Sequence, residues 1–157
     1  MKKLLISLLL GAAILTTSCT QAKEIGKVNN IENKVEENIG EKSLEQIRKE
    51  GIEYIDTFLK ENLSDCYDGY YADENGITIK FVDDGIVELL EADEELYEKF
   101  VELNLNVCKQ VSDILKADEN YFICITYTDR HKEGDKTFTN TFFVIVDGEI
   151  TYNAIKR

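Results

Sequence analysis

The sequence predicts an α+β domain standing behind an N-terminal leader, and three observations carry that expectation. Two long stretches, Leu44 to Phe58 and Leu96 to Ile114, repeat apolar residues at helical spacing. Each is followed by shorter segments in which apolar and polar residues alternate, the period of a half-buried strand. Asn75-Gly76 and Asp147-Gly148 stand between such segments, and both dipeptides supply the positive φ angles of a type I′ hairpin. At 157 residues and 43% hydrophobic, the chain has room for a leader, a tether and one ordinary domain.

Order is expected to begin at Ser43. Ser43 and Gln46 have the spacing of a capping box, in which serine oxygen and glutamine side chain each meet an orphan backbone donor. Leu44, Ile47, Gly51, Tyr54, Ile55 and Phe58 then form one stripe, and the helix fades near Asn62. A hairpin about Asn75-Gly76 would pair Tyr70 with Phe81 and Ala72 with Ile79. After Asp84-Gly85, the short apolar run Ile86 to Leu90 reads either as a third strand or as the start of the next helix. The longest helix spans about Asp93 to Lys116. Asp93 can cap it, Glu94 and Glu95 suit its positive end, and Lys109 and Lys116 suit the other. Its stripe (Leu96, Phe100, Leu103, Val107, Val111, Ile114) is broadened by Val101, Cys108 and Leu115, wide enough to lie across a sheet. Three strands follow at Tyr121 to Thr128, Thr137 to Val146 and Glu149 to Ile155. A two-residue loop at Asp147-Gly148 would set Ile145 against Ile150 and Phe143 against Tyr152, four residues expected on the core face.

The expected architecture is thus an N-terminal helix, a β-hairpin or meander, a long helix and a three-stranded antiparallel meander, with helix packed on a curved sheet. This order resembles a pair of PepSY-like helix-plus-meander units. It also resembles the cystatin-like or nuclear-transport-factor-like sheet wrapped on a long helix. Neither resemblance brings a motif that assigns a residue.

The first 18 residues read as a signal peptide. Lys2 and Lys3 make a positive start, and Leu4 to Leu15 an apolar run shorter than the ~20 residues a membrane helix needs. The run ends in Leu15-Thr16-Thr17-Ser18-Cys19, which resembles the lipobox of bacterial lipoproteins, with Thr16 where leucine is commonest. The resemblance implies that Cys19 becomes the first mature residue and carries lipid, since two acyl chains anchor stably where one does not. It implies a cell-membrane or outer-membrane location facing the periplasm or exterior. Residues 19–42 then form a polar tether, which as a coil would reach roughly 25–30 Å. Residues 43–157 form the single folded domain.

Charge excludes one partner class. The formal charge is −13, and without Lys2 and Lys3 there remain 31 acids against 16 basic residues. Such a surface repels nucleic acid, and no basic stripe offsets it. A cationic protein or peptide, a small cationic ligand or a metal cation is the natural partner, and the same charge favours a monomer.

Catalytic and metal chemistry find little to build on. His131, the sole histidine, sits in the charged stretch Thr128 to Lys136, read as a loop. Ser43 serves as a cap, while Ser64 and Ser112 lie in no nucleophile motif. Cys66, Cys108, Cys124 and His131 match zinc in number and not in spacing. Asp83-Asp84 and Asp73 to Gly76 resemble calcium loops in composition alone, without the EF-hand order. No cofactor, metal or catalytic residue is expected. With Cys19 lipidated, three body thiols remain, and helix-on-sheet packing could pair Cys108 with Cys124 in a disulfide; buried thiols are the alternative. Tyr67, Tyr70 and Tyr71 read as sheet core or surface. The expectation is a lipid-anchored, non-enzymatic binding module, inhibitor-like or immunity-like toward a cationic partner. The alternatives are a hydrolase of cell-wall polymers working with two carboxyl groups, and a purely structural envelope lipoprotein.

Overall fold

The computed structural model describes residues 42–133 and 135–156; the leader, Cys19 and nearly all of the tether lie outside the described residues. Among the described residues three helices, α1 (Leu44–Asn62), α2 (Ile86–Ala92) and α3 (Glu94–Leu115), pack on a five-stranded sheet. Its strands are β1 (Tyr67–Ala72), β2 (Gly76–Asp83), β3 (Phe122–Glu133), β4 (Lys136–Val146) and β5 (Glu149–Asn153). Spatial order follows chain order. Every neighbouring pair is antiparallel except β2 and β3, which run parallel.

That one parallel joint explains α2. Parallel neighbours need a crossover connection, usually helical, rather than a tight turn. After Asp83 the chain turns at Gly85, whose φ of 90° lies in the left-handed region, and Ile86 to Ala92 coil into a helix. Ile86 and Leu90, one turn apart, both reach the core. The strand alternative for this run therefore gives way to the helical one. Asp93 ends α2 and caps α3, its carboxylate accepting from the Leu96 amide at 3.0 Å. At α1, Ser43 accepts from the Gln46 amide as the capping box requires. The Gln46 side-chain amide donates to Glu50, one turn further on.

The core lies between the helices and one face of the sheet. Ile77, Ile79 and Phe81 of β2 stand opposite Ile123, Ile125 and Tyr127 of β3, and Phe143 and Ile145 of β4 continue the same face. Tyr127 is its centre. Its ring stacks on Phe81 at 4.9 Å and meets Phe100 edge-on at 5.0 Å. Its hydroxyl donates to Asn104 on α3, which donates in turn to the Phe100 carbonyl. A buried polar pair satisfied in this way costs little to bury and fixes how α3 sits on the sheet.

Three expectations need correction. The first hairpin is not a type I′ turn at Asn75-Gly76, for neither residue has positive φ. Asp73 accepts from the amides of Asn75 and Gly76, and Tyr70 faces Ile79 while Ala72 faces Ile77. Gly76 serves another purpose: a Cβ there would lie 2.4 Å from the Phe122 carbonyl oxygen, so only glycine lets β3 pair alongside. Second, the turn at Asp147-Gly148 has the expected positive φ angles and sets Ile145 against Ile150. A bulge between Val144 and Ile145 then places Tyr152 against Val144 rather than Phe143. Ile150 and Tyr152 are exposed on the edge strand and do not join the core. Third, the charged stretch around His131 is strand, with His131 opposite Phe138 in a long β3–β4 hairpin.

The close approach at Gly76 makes a direct prediction. Gly76→Ala is expected to cost about 3 kcal/mol or to prevent folding, since backbone must move to admit the methyl. Gly148→Ala, strained in φ but with open space around it, is expected to cost about 1–2 kcal/mol. Urea midpoints of the two variants check the ranking, and equal losses would contradict it.

Candidate functional site

The helices cover one face of the sheet, so two kinds of surface remain open. The outer face carries Thr78, Val82, Cys124, Thr126, Val144 and Val146, with Lys80 among them. Carboxylates gather toward the two ends of the β2–β3 pair: Asp83, Asp84 and Asp129 at one end, Asp73, Glu74, Asp147 and Glu149 at the other.

The helix side offers a groove of about 760 Å³ between α1 and β1. Its size suits a ligand. One wall is the first half of α1 (Leu44, Glu45, Arg48, Lys49, Ile52 and Glu53). The other is the end of β1, Tyr70 and Ala72, with the turn residues Asp73 and Glu74. Tyr70 and Ala72 point toward the helices because they pair with the core residues Ile79 and Ile77. Tyr121 closes the inner end, by the parity that buries Ile123, Ile125 and Tyr127.

Arg48 ties these parts together. Its guanidinium lies 4.1 Å from the centre of the Tyr121 ring, pairs with Asp118 at 3.2 Å and reaches the Lys116 carbonyl. This cation–π contact holds α1 against the loop that leads into β3. Two polar atoms are left over. Among the described residues, neither the buried Arg48 Nε nor the Tyr121 hydroxyl has a hydrogen-bond partner. Tyr121 itself is only 3% exposed. Burial raises the Tyr121 phenol, Arg48 pulls it down and the nearby Asp73 raises it again, so it stays a neutral O–H. The walls above are apolar and accessible, with Leu44 at 42% and Tyr70 at 41% exposure. Around them stand Glu45, Glu53, Asp73 and Glu74, with Lys49 as counterweight. A second concavity, about 390 Å³, lies on the far side of Tyr121 and is lined in part by Cys108, Ser112, Asp147 and Gly148.

Cys66, Cys108 and Cys124 are free thiols. The expected Cys108–Cys124 pairing is not formed, for a reason visible in the strand alternation. Cys108 is buried on α3 in the same core as Ile123 and Ile125. Cys124, between those two isoleucines, projects from the opposite face beside Thr78. A disulfide needs Cβ atoms that face each other closely, and here the sheet stands between them. Burial pushes the Cys66 thiol up to about 12, with Asp83 and Asp65 adding to the rise. Burial likewise raises Cys108, against the Gly148 amide that favours its thiolate, and raises Cys124 against the Thr78 hydroxyl.

Among the described residues no group of three or more His, Cys, Asp or Glu could hold a metal ion, and no helix is long and apolar enough to cross a membrane. The side chain of His131 lies outside the described residues. Asp83, Asp84 and Asp129 form a group of interacting carboxylates, and each is engaged locally. Asp129 accepts from the Gly85 amide, Asp84 pairs with Arg130, and the Ile86 amide favours the charged form of Asp83. They shape the turn into α2. Comparison of the chain with protein-family models, curated proteins and solved structures finds no match.

Two predictions follow from these groups. Burial first, then Asp84 and Asp129, raise the Asp83 carboxyl above its ordinary 3.8, so the folded state binds that proton more tightly than the unfolded one. Its contribution to stability therefore falls as pH rises through this window. Asp83→Asn is expected to raise the urea midpoint at pH 7, with the gain vanishing below pH 3.8; a loss at pH 7 would contradict this. For the thiols, native protein at pH 7 is expected to react slowly with iodoacetamide, the partly exposed Cys124 first, and unfolded protein to alkylate at all three. Intact mass counts the groups added. Fast labelling of Cys66 or Cys108 in the native state would contradict the burial described.

Proposed function

We propose that this chain is a membrane-anchored, non-enzymatic binding module of the cell envelope, held by acylated Cys19, with the groove between α1 and β1 as its recognition site. The observation that carries the reading is the groove floor: a buried tyrosine hydroxyl and a buried guanidinium N–H without partners among the described residues, beneath exposed Leu44 and Tyr70. Buried polar groups are normally satisfied, and a groove with two unpartnered donors buried at its base is suited to a ligand that completes them. The leader and its lipobox-like ending support the anchor. The polar tether supports display of the body away from the bilayer. The net charge of −13 supports a cationic partner.

The test places a photocrosslinking amino acid at Tyr70, in the groove, or at Thr126, on the outer sheet face, in cells making the full chain. Adducts are expected from position 70 and not from 126. Intact mass of the membrane-extracted chain is expected to show a start at Cys19 with two or three acyl groups, absent in Cys19→Ala. Adducts from position 126 alone would move recognition to the sheet face, and an unlipidated full-length chain would remove the anchor.

A further inference from the structure

We infer that the groove takes a basic, partly apolar peptide segment of a partner protein, its backbone carbonyls meeting the Arg48–Tyr121 floor and a Lys or Arg side chain lying against Tyr70 and the acidic lip. This rests on the reading of the groove as a recognition site, and adds the chemistry of what it recognises.

The floor sets the first requirement. Arg48 Nε carries a hydrogen and can only donate, and the Tyr121 hydroxyl donates as readily as it accepts. A ligand must therefore bring acceptors to the inner end. A carboxylate would be one source, but Asp118 already neutralises the Arg48 guanidinium at 3.2 Å. A further anion would also have to pass Glu45, Glu53, Asp73 and Glu74, against which the groove sets only Lys49. Neutral acceptors avoid that repulsion. Peptide carbonyls are such acceptors, and an extended segment presents them at regular spacing.

The lip sets the second requirement. Four carboxylates around an apolar wall favour a cation that has a hydrocarbon stem, which is what Lys and Arg side chains are. The exposed ring of Tyr70 adds a face over which such a cation can sit. Leu44 offers apolar surface for a neighbouring hydrophobic side chain. Floor and lip together select against anions, and they select against a bare metal ion, which would leave the floor donors and the apolar walls unused.

The test uses full-length lipidated protein in a non-ionic detergent and a fluorescent decapeptide of alternating Leu and charged positions, in Lys, Gln and Glu versions, read by anisotropy. The Lys peptide is expected to bind about tenfold or more tighter than the Gln peptide, with the difference shrinking as salt rises. The Glu peptide is expected to bind weakest. The triple variant Glu45→Gln, Glu53→Gln, Glu74→Gln is expected to erase most of the Lys preference. Tyr121→Phe is expected to weaken Lys and Gln peptides alike, by about threefold to tenfold, without lowering the urea midpoint, because the hydroxyl has no partner to lose. A Lys preference that survives the triple variant, or tightest binding by the Glu peptide, overturns the ligand class. The groove itself then still stands if Tyr70→Ala abolishes binding. Binding untouched by both Tyr70→Ala and Tyr121→Phe overturns the ligand class and the groove together. No binding by any of the three peptides overturns the ligand class, and crosslinking at position 70 judges the groove independently.

Discussion

The parallel pairing of β2 with β3 is the constraint from which the rest of the structure follows. Register Gly76 opposite Phe122 brings two backbones so close that the first residue of β2 can carry no side chain. Running parallel, the two strands cannot be joined by a turn, and residues 84–121 must cross one face of the sheet. That crossing is α2 and α3, and it buries the face that carries Ile79, Ile125 and Tyr127. No helix among the described residues covers the opposite face. The β1–β2 hairpin and the β3–β4–β5 meander would otherwise be two marginal pieces, and the joint makes them one sheet with one core.

The groove follows from the same joint. Tyr121 is placed by the entry of β3 beside Gly76, and its parity turns it toward α1 rather than toward the bare face. α1 spans the sheet beside α3, and Gly51 is the reason it can lie close. A Cβ there would come within 2.7 Å of the Leu115 side chain. Arg48, one turn earlier on α1, then reaches the loop before β3 and rests on the Tyr121 ring. Two elements distant in sequence thereby share a cation–π contact, and each keeps one buried polar atom without a partner among the described residues.

Much of the fold was legible because local chemistry specified it. Ser43 and Asp93 are helix caps in the structure as in the sequence, since a short polar side chain before an apolar stripe has one efficient use. Asp147-Gly148 forms the hairpin its residues favour. What was hidden depended on tertiary contact. Gly76 had the same appearance as a turn glycine, but the Asp73 carboxylate makes the turn and the glycine answers to Phe122, a partner 46 positions away. Ile86 to Leu90 was ambiguous because a five-residue apolar run has no period, and the crossover decided it. Tyr152 shifted register through a bulge that no dipeptide announces. The candidate site was not legible at all. Arg48 looks like a solvated cation and Tyr121 like the first residue of a strand. Only the burial of both, with atoms left unpartnered, marks them.

The central claim is that recognition belongs to the groove over Tyr121 and not to the bare sheet face. Methyl NMR of the lipidated protein in detergent, titrated with the Lys peptide, tests it most directly. Leu44 and Ile52 line the groove, and Val144 and Val146 lie on the open face. The account predicts saturable shifts at Leu44 and Ile52 with Val144 and Val146 unmoved. Shifts confined to Val144 and Val146 would contradict it and transfer recognition to the other side of the sheet.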